Sequence, residues 1–191
     1  MLRDLLALGF AAALAAGAAR AADQVSVEAQ RRGGAVEVTA RAVLDAPVDL
    51  IWATLTDYDR LSEFIPGMRR SRVLERDGAR VIVEQSGRAQ FLFFTFPIEV
   101  TLESTERPPH AIDVRALKGS LKQLDGGYRI APEGDRVLLT WRGLVDPVDE
   151  LPPLLEEVLM RLSIEDQFRG MVAEIERRAL ARREREDKVR P

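Results

Sequence analysis

At Leu151-Pro152-Pro153 the hydrophobic period of the chain changes from two to about 3.6. Upstream, apolar residues alternate with polar ones in short segments. Downstream, Leu155, Val158, Leu159, Leu162, Phe168, Met171, Val172 and Ile175 recur at helical spacing. A sheet with one apolar face and a helix with one broad apolar face must each cover the other to leave water. This one change of period puts the chain in the α+β class.

The strands follow from turn signals. Val36, Val38, Ala40 and Ala42 alternate with Glu37, Thr39 and Arg41, which predicts a first strand ended by Asp45-Ala46-Pro47. Val48, Ile51, Trp52 and Leu55 then predict a short amphipathic helix over 47–56, and a second short helix over about 58–65 is halted by Pro66-Gly67. Six more strands are predicted: 69–76, closed by Asp77-Gly78, then 80–88, 91–106, 111–118, 121–131 and 136–145. Their short connections predict an antiparallel meander. Ser163 with Asp166 marks a possible kink in the long helix.

The first 24 residues, MLRDLLALGFAAALAAGAARAADQ, join Arg3 to an apolar run from Leu5 to Gly17 and to the small residues Ala19 and Ala21. That is the pattern of a cleaved secretory signal, and the run is short for a span of about 20 residues. The chain therefore divides into a signal peptide (1–21), a polar flexible lead-in (22–34), one ligand-binding domain (35–180) and a charged tail (181–191). With no cysteine, an exported domain has no disulfide framework and rests on its own core. The expected compartment is a bacterial periplasm.

Net charge is −3, against the basic face that nucleic-acid binding needs. One histidine, His110, in a Pro108-Pro109 turn, leaves Ser-His triads and His-based zinc sites unsupported. No cofactor or metal is expected. Glu84, Asp113 and Arg115 fall among outward positions, and Asp57 is placed to cap the second short helix.

The inward rows are apolar. Leu92, Phe94, Phe96, Ile98, Val100 and Leu102 share one face of their strand, Val81, Val83 and Gln85 one face of the strand before it. Tyr128 with Ile130, and Val137, Leu139 and Trp141, extend that surface; Phe91 and Phe93 point outward. A helix in a curved sheet leaves a groove, yet the same rows equally fill a solid core; periodicity does not choose.

The segment APVDLIWATLTDYDRLSEFIPGMRRSRVLE adds a resemblance. Ala46-Pro47, Trp52, Leu55-x-Asp57-Tyr58, Leu61, Phe64-x-Pro66 and Ser71-x-Val73-Leu74-Glu75 resemble the polyketide cyclase/dehydrase and lipid transport proteins. These, with the coenzyme Q-binding proteins, belong to the START-like (SRPBCC) superfamily. Glu106-x-Pro108-Pro109, Gly119, Asp146-Pro147 and Pro152-Pro153 continue the likeness, which runs from Val36 to Ala179. It implies the helix-grip fold: a seven-stranded antiparallel curved sheet around a long C-terminal helix, with two short helices after the first strand and a hydrophobic cavity between sheet and helix. Such proteins bind lipids, sterols, quinones or polyketides, and only some are enzymes.

The expected site comprises Phe64 and Met68 at a rim with Ile65, a wall of Val81, Val83, Gln85, Leu92, Phe94, Phe96, Tyr128, Leu139 and Trp141, and a lid of Leu155, Leu159, Leu162 and Phe168. Tyr128, Trp141 or Gln85 would orient a ligand's polar end; no catalytic residue is assigned. The favoured reading is a non-enzymatic, monomeric carrier touching a membrane transiently during loading. The alternatives are a cyclase or isomerase on an aromatic polyketide-like substrate, and an envelope interaction module whose cavity is filled.

Export has a direct test. Protein recovered from the periplasmic fraction of a Gram-negative host is expected to begin at Ala22 or Asp23 by N-terminal sequencing. Recovery of the intact Met1 form from the cytoplasm would contradict it.

Overall fold

The computed structural model describes residues 25–91, 94–147 and 153–189. Eight strands form one antiparallel sheet: β1 (Ser26–Arg32), β2 (Ala35–Leu44), β3 (Met68–Asp77), β4 (Arg80–Phe91), β5 (Phe94–Arg107), β6 (Ala111–Gly119), β7 (Leu121–Glu133) and β8 (Arg136–Pro147). Their spatial order is β1-β2-β8-β7-β6-β5-β4-β3. The helices are α1 (Val48–Leu55), a 3-10 turn (Tyr58–Glu63) and α2 (Pro153–Val189). Among the described residues no helix is long and apolar enough to cross a membrane.

Two expectations are corrected. The seven-stranded sheet has eight strands, because β1 lies within the segment read as a flexible lead-in. Every residue from Ser26 to Arg32 pairs with β2, in register from Ser26 opposite Arg41 to Arg32 opposite Ala35. Its residues are mostly polar because β1 is an edge strand with one face in water, held by backbone pairing more than by burial. Second, β4 continues to Phe91, which pairs with Phe94 of β5. Phe91 thus belongs to the strand before the one it was assigned to, since four apolar residues in a row hide any turn signal. Leu92 and Phe93, and the side chains of Phe91 and Phe94, lie outside the described residues, as does the signal segment.

The path from β2 to β3 crosses the whole sheet from one side to its far edge, and α1 with the 3-10 turn makes that crossing. Helix α2 packs against β1, β2 and α1. It is one helix through Ser163, with no break there. Nor is its charged end simply solvated: Arg182 donates to Asp49 at 2.7 Å, and Arg183 to the Asp45 carbonyl at 2.7 Å.

The inward rows split into two zones. Val81, Ile130, Val137 and Leu139 pack with Val172, Ile175 and Ala179 into a solid core beneath the C-terminal half of α2. Toward its N-terminal half, the same rows line open space instead. The hairpin of β6 and β7 splays at that end. The two strands pair only from Ala111–Arg129 to Arg115–Asp125, while Leu121 and Leu124 follow β8.

One contact sets the height of α2 above the sheet. A Cβ at Gly170 would lie 2.7 Å from the Phe64 carbonyl oxygen and closer still to Cδ of Pro66. The bare glycine lets the helix backbone rest on the loop after the 3-10 turn. Gly170→Ala gains about 1 kcal/mol of helix propensity. It also forces a methyl group into a proline ring and a backbone oxygen, an overpacking that costs about 1–3 kcal/mol. We expect net destabilisation of about 1 kcal/mol, read from the midpoint of urea unfolding; a variant as stable as the wild type would show that α2 does not rest here.

Candidate functional site

A cavity of about 240 Å³ lies between α2 and the concave face of the sheet. Its floor is strand. On β5, Ile98, Val100, Leu102 and Ser104 follow each other inward at every second residue. Beside them stand Val83 and Gln85 of β4, Ile112 and Val114 of β6, and Leu121, Leu124 and Tyr128 of β7. Trp141 and Val145 of β8 complete it. Leu55, Tyr58, Leu61, Ile65 and Met68 close one side, and Met160, Ser163, Ile164, Gln167, Phe168 and Met171 of α2 form the roof.

Of the expected site residues, Met68, Val83, Gln85, Tyr128, Trp141 and Phe168 line this space, as does the expected rim residue Ile65. Val81 and Leu139 are fully buried in the solid core, one inward step beyond the cavity. Phe64 packs beside the core with its ring under the Arg178 guanidinium, 5.4 Å from the centroid. Phe96 is half-buried outside the lining. Leu92 and the Phe94 side chain cannot be placed among the described residues.

The lid is the larger correction. Leu155, Leu159 and Leu162 are not in the lining. Leu159 is buried near Glu156, whose carboxylate accepts from Arg31 of β1 at 2.7 Å, so this side of α2 serves the edge strand. Leu162 is 38% exposed. The roof is the stripe Met160–Ser163/Ile164–Gln167/Phe168–Met171, rotated around the helix from the expected one. Its polar members, Ser163 and Gln167, disguised it in the sequence. The spacing of 160, 164, 167, 168 and 171 was the available signal.

Among the described residues, polar groups in the lining are few and uncharged. Gln85 donates to Ser71 Oγ at 3.4 Å, and Gln167 to Ser163 Oγ at 3.3 Å. The Tyr128 phenol has no hydrogen bond among the described residues, and burial pushes its pKa up to about 12. The buried Tyr58 hydroxyl is near Ser104 and Glu106 without hydrogen-bond geometry to either. Burial first, then the Glu106 charge, raises its pKa further. Both phenols are therefore neutral donors at ordinary pH. Tyr128 and Trp141 sit opposite each other in register, and the indole lies folded over β8. A Cβ at Gly143 would stand 2.6 Å from Trp141 Cη2, so that position must be bare.

Residues weighed for chemistry stand elsewhere. His110 is exposed. Glu84 pairs with Arg72, Arg115 with Glu103, and Asp113 with Arg107 and Arg129. Asp57 does not cap the 3-10 turn with its side chain. Its carboxylate accepts from Arg178 at 2.9 Å, because α2 delivers a cation there that the sequence does not show. No group of three or more His, Asp or Glu suited to a metal occurs among the described residues.

Arg178 also clamps the cavity's closed side. Its Nε donates to Glu174 at 2.6 Å while Arg177 donates to the same carboxylate at 2.7 Å. These hydrogen bonds, Arg177 first, hold Glu174 down at about 2 against the opposing effect of burial. A depressed carboxylate stabilises the fold above its unfolded value near 4.5, and that contribution is lost as pH falls toward about 2. Glu174→Gln should thus cost about 2 kcal/mol near neutral pH. The gap to wild type should close between pH 5 and 2 in urea unfolding; a gap independent of pH would show that the charge is not what holds Arg178.

Comparison with known proteins places this geometry. The family model described as polyketide cyclase/dehydrase and lipid transport matches residues 44–187. Among solved structures, a STAR-related lipid transfer protein from Xanthomonas axonopodis is similar at TM-score 0.67 and 15% identity, over 81% of this chain and 94% of that one. The Zhui aromatase/cyclase from Streptomyces sp. R1128 aligns at TM-score 0.62 and 19% identity, over 74% and 94%. Human StAR-related lipid transfer protein 5 aligns at TM-score 0.67 and 7% identity, over 81% and 83%. At these identities the likeness is one of fold. A search of curated proteins gives no match.

Proposed function

Because the chain belongs to the polyketide cyclase/dehydrase and lipid transport family, we propose that it is an exported carrier that holds one small hydrophobic molecule under α2. The carrying observation is the cavity lining itself: two dozen described residues, none of them charged. Packing that space with side chains instead would be worth several kcal/mol, at roughly 24 cal/mol per Å³. A chain that keeps it open gains that energy back only from a guest. Each methylene a guest buries contributes about 0.8 kcal/mol.

Size narrows the guest. A space of about 240 Å³ falls below the roughly 300–1,000 Å³ of pockets that take drug-sized ligands. This suits a compact ring system or a single short chain, whether lipid, sterol-like, quinone or polyketide in origin, better than a two-chain lipid. Neutral donors from Tyr128, Trp141 and Gln85 supply orientation. Transient membrane contact during loading, a monomeric state and a periplasmic location belong to the same reading.

General acid–base catalysis needs a group that exchanges protons near the working pH within reach of the substrate. Phenols raised to about 12 and beyond do not meet that need. The cyclase reading retains one support: a protonated phenol facing an aromatic wall can polarise a substrate carbonyl, and an aromatase/cyclase shares the fold. The interaction-module alternative needs a filled core, and the cavity speaks against it.

Native mass spectrometry of protein purified from its own host is expected to show a small hydrophobic adduct. Ile98→Trp, at a half-buried wall position, should abolish the adduct and lower affinity for a hydrophobic fluorophore at least about tenfold, with an unchanged circular dichroism spectrum. Uptake equal to wild type would sink the cavity as the binding site, and turnover of an aromatic polyketide-like substrate would move the assignment to the enzyme.

A further inference from the structure

The cavity has a neighbour. Met68, Ser163 and Gln167 also line a more open depression of about 620 Å³, so the two spaces lie on either side of these three residues. Pro66, Gly67, Arg69 and Arg88 wall the depression on the sheet side, and Leu162, Glu165, Asp166 and Arg169 on the helix side.

Its charges are unevenly matched. Arg169 donates to Glu165 at 2.9 Å, and Glu165 also accepts from Arg161 at 2.9 Å, so that carboxylate is doubly neutralised. Arg69 and Arg88 are exposed, and neither side chain has an ion pair or hydrogen bond among the described residues. Elsewhere arginines commonly hold carboxylates, as Arg60, Arg72, Arg76, Arg80 and Arg142 do. Among the described residues, Asp166 is the one exposed carboxylate in the depression that competes with them.

Local geometry explains why both arginines face this space. Met68 pairs with Gly87 and Arg70 with Ser86, which leaves Arg69 as the extra residue of a β-bulge. A bulge re-aims the side chain it carries. The Arg88 N–H donates to the Gly67 carbonyl at 2.8 Å, tying the second arginine's backbone to the loop before the bulge. Two guanidinium groups are thus carried on one hydrogen-bonded strand end, beside a cavity with no charged group among its described lining residues. An anion drawn into that cavity would exchange its hydration for a few neutral donors and no cation, whereas an anionic oxygen in the depression meets guanidinium donors suited to bidentate hydrogen bonding.

Resting on the carrier reading, we propose that the ligand is an amphiphile with a single anionic head, a carboxylate in its simplest form. Its apolar body lies under α2 and its head between Arg69 and Arg88. Decanoate, decanol and acetate, titrated into the full chain at low salt and followed by calorimetry, separate the parts. Decanol binding reports the cavity alone. Decanoate is expected to bind roughly fivefold more tightly than decanol, the scale of two solvent-exposed charge contacts. The double variant Arg69→Ala/Arg88→Ala should lose that preference while its decanol affinity stays within about twofold, and Asp166→Asn should enlarge the preference. Equal binding of decanoate and decanol by wild type, or a preference that survives in the double variant, overturns the head-group assignment and leaves the carrier standing. Acetate binding as tight as decanoate would also overturn it, by making the arginines a free-anion site unrelated to the cavity. Failure of decanol itself to bind would bring down the carrier reading and this assignment with it.

Discussion

A single helix covers the concave face of eight strands, and its two halves are held differently. The C-terminal half of α2 sinks Val172, Ile175 and Ala179 into the core and is pinned laterally by Arg178 between Glu174 and Asp57. At Gly170 its backbone rests on the loop of Phe64 to Pro66. Beyond that support the N-terminal half leans on β1 through Glu156 and Leu159, with open space beneath the stripe from Met160 to Gln167. A cylinder cannot follow a curved sheet along its full length, so close packing at one end separates the surfaces at the other. Cavity, mouth and roof all follow from where that contact falls.

The separation also sorts the chemistry. Inside are hydrocarbon, neutral phenols, an indole and amides; the charges sit at the rim and on the outer faces, most in ion pairs. Burial keeps Tyr58 and Tyr128 protonated, so the interior offers hydrogen-bond donors without a proton acceptor of useful strength. Such a lining offers shape and one or two neutral hydrogen bonds. This agrees with a fold that hosts both lipid transfer proteins and aromatase/cyclases, since the fold supplies the container and the side chains decide the use.

How far the sequence could be read depended on what each signal was made of. Turn dipeptides and strand alternation are local, and every strand with a clear alternating face stands within a few residues of where it was expected. β1 was missed because SVEAQRR is an edge strand whose pairing lies in the backbone, which a hydrophobicity pattern does not record. The end of β4 was misplaced because QFLFFTF carries no glycine, proline or asparagine to mark a reversal. On α2 the largest residues, Leu155, Leu159 and Leu162, drew attention to the wrong stripe. The cavity stripe carries Ser163 and Gln167, which a rule that equates lining with hydrophobicity discards.

Periodicity and turn chemistry by themselves determined the α+β class, the order of elements after β1 and the inward rows, while the resemblance carried by Ala46 to Glu75 pointed to the family that the family model matches. They are properties of neighbouring residues, so they survive without knowledge of the fold. Only the tertiary structure decided where those rows change from core to cavity, which side of α2 faces inward and that Arg69 and Arg88 share one depression beside the cavity. Whether Val81 packs while Val83 lines a space depends on the height of a helix ninety residues away in sequence. That height is set by a glycine against a proline ring, a distance that no local pattern encodes.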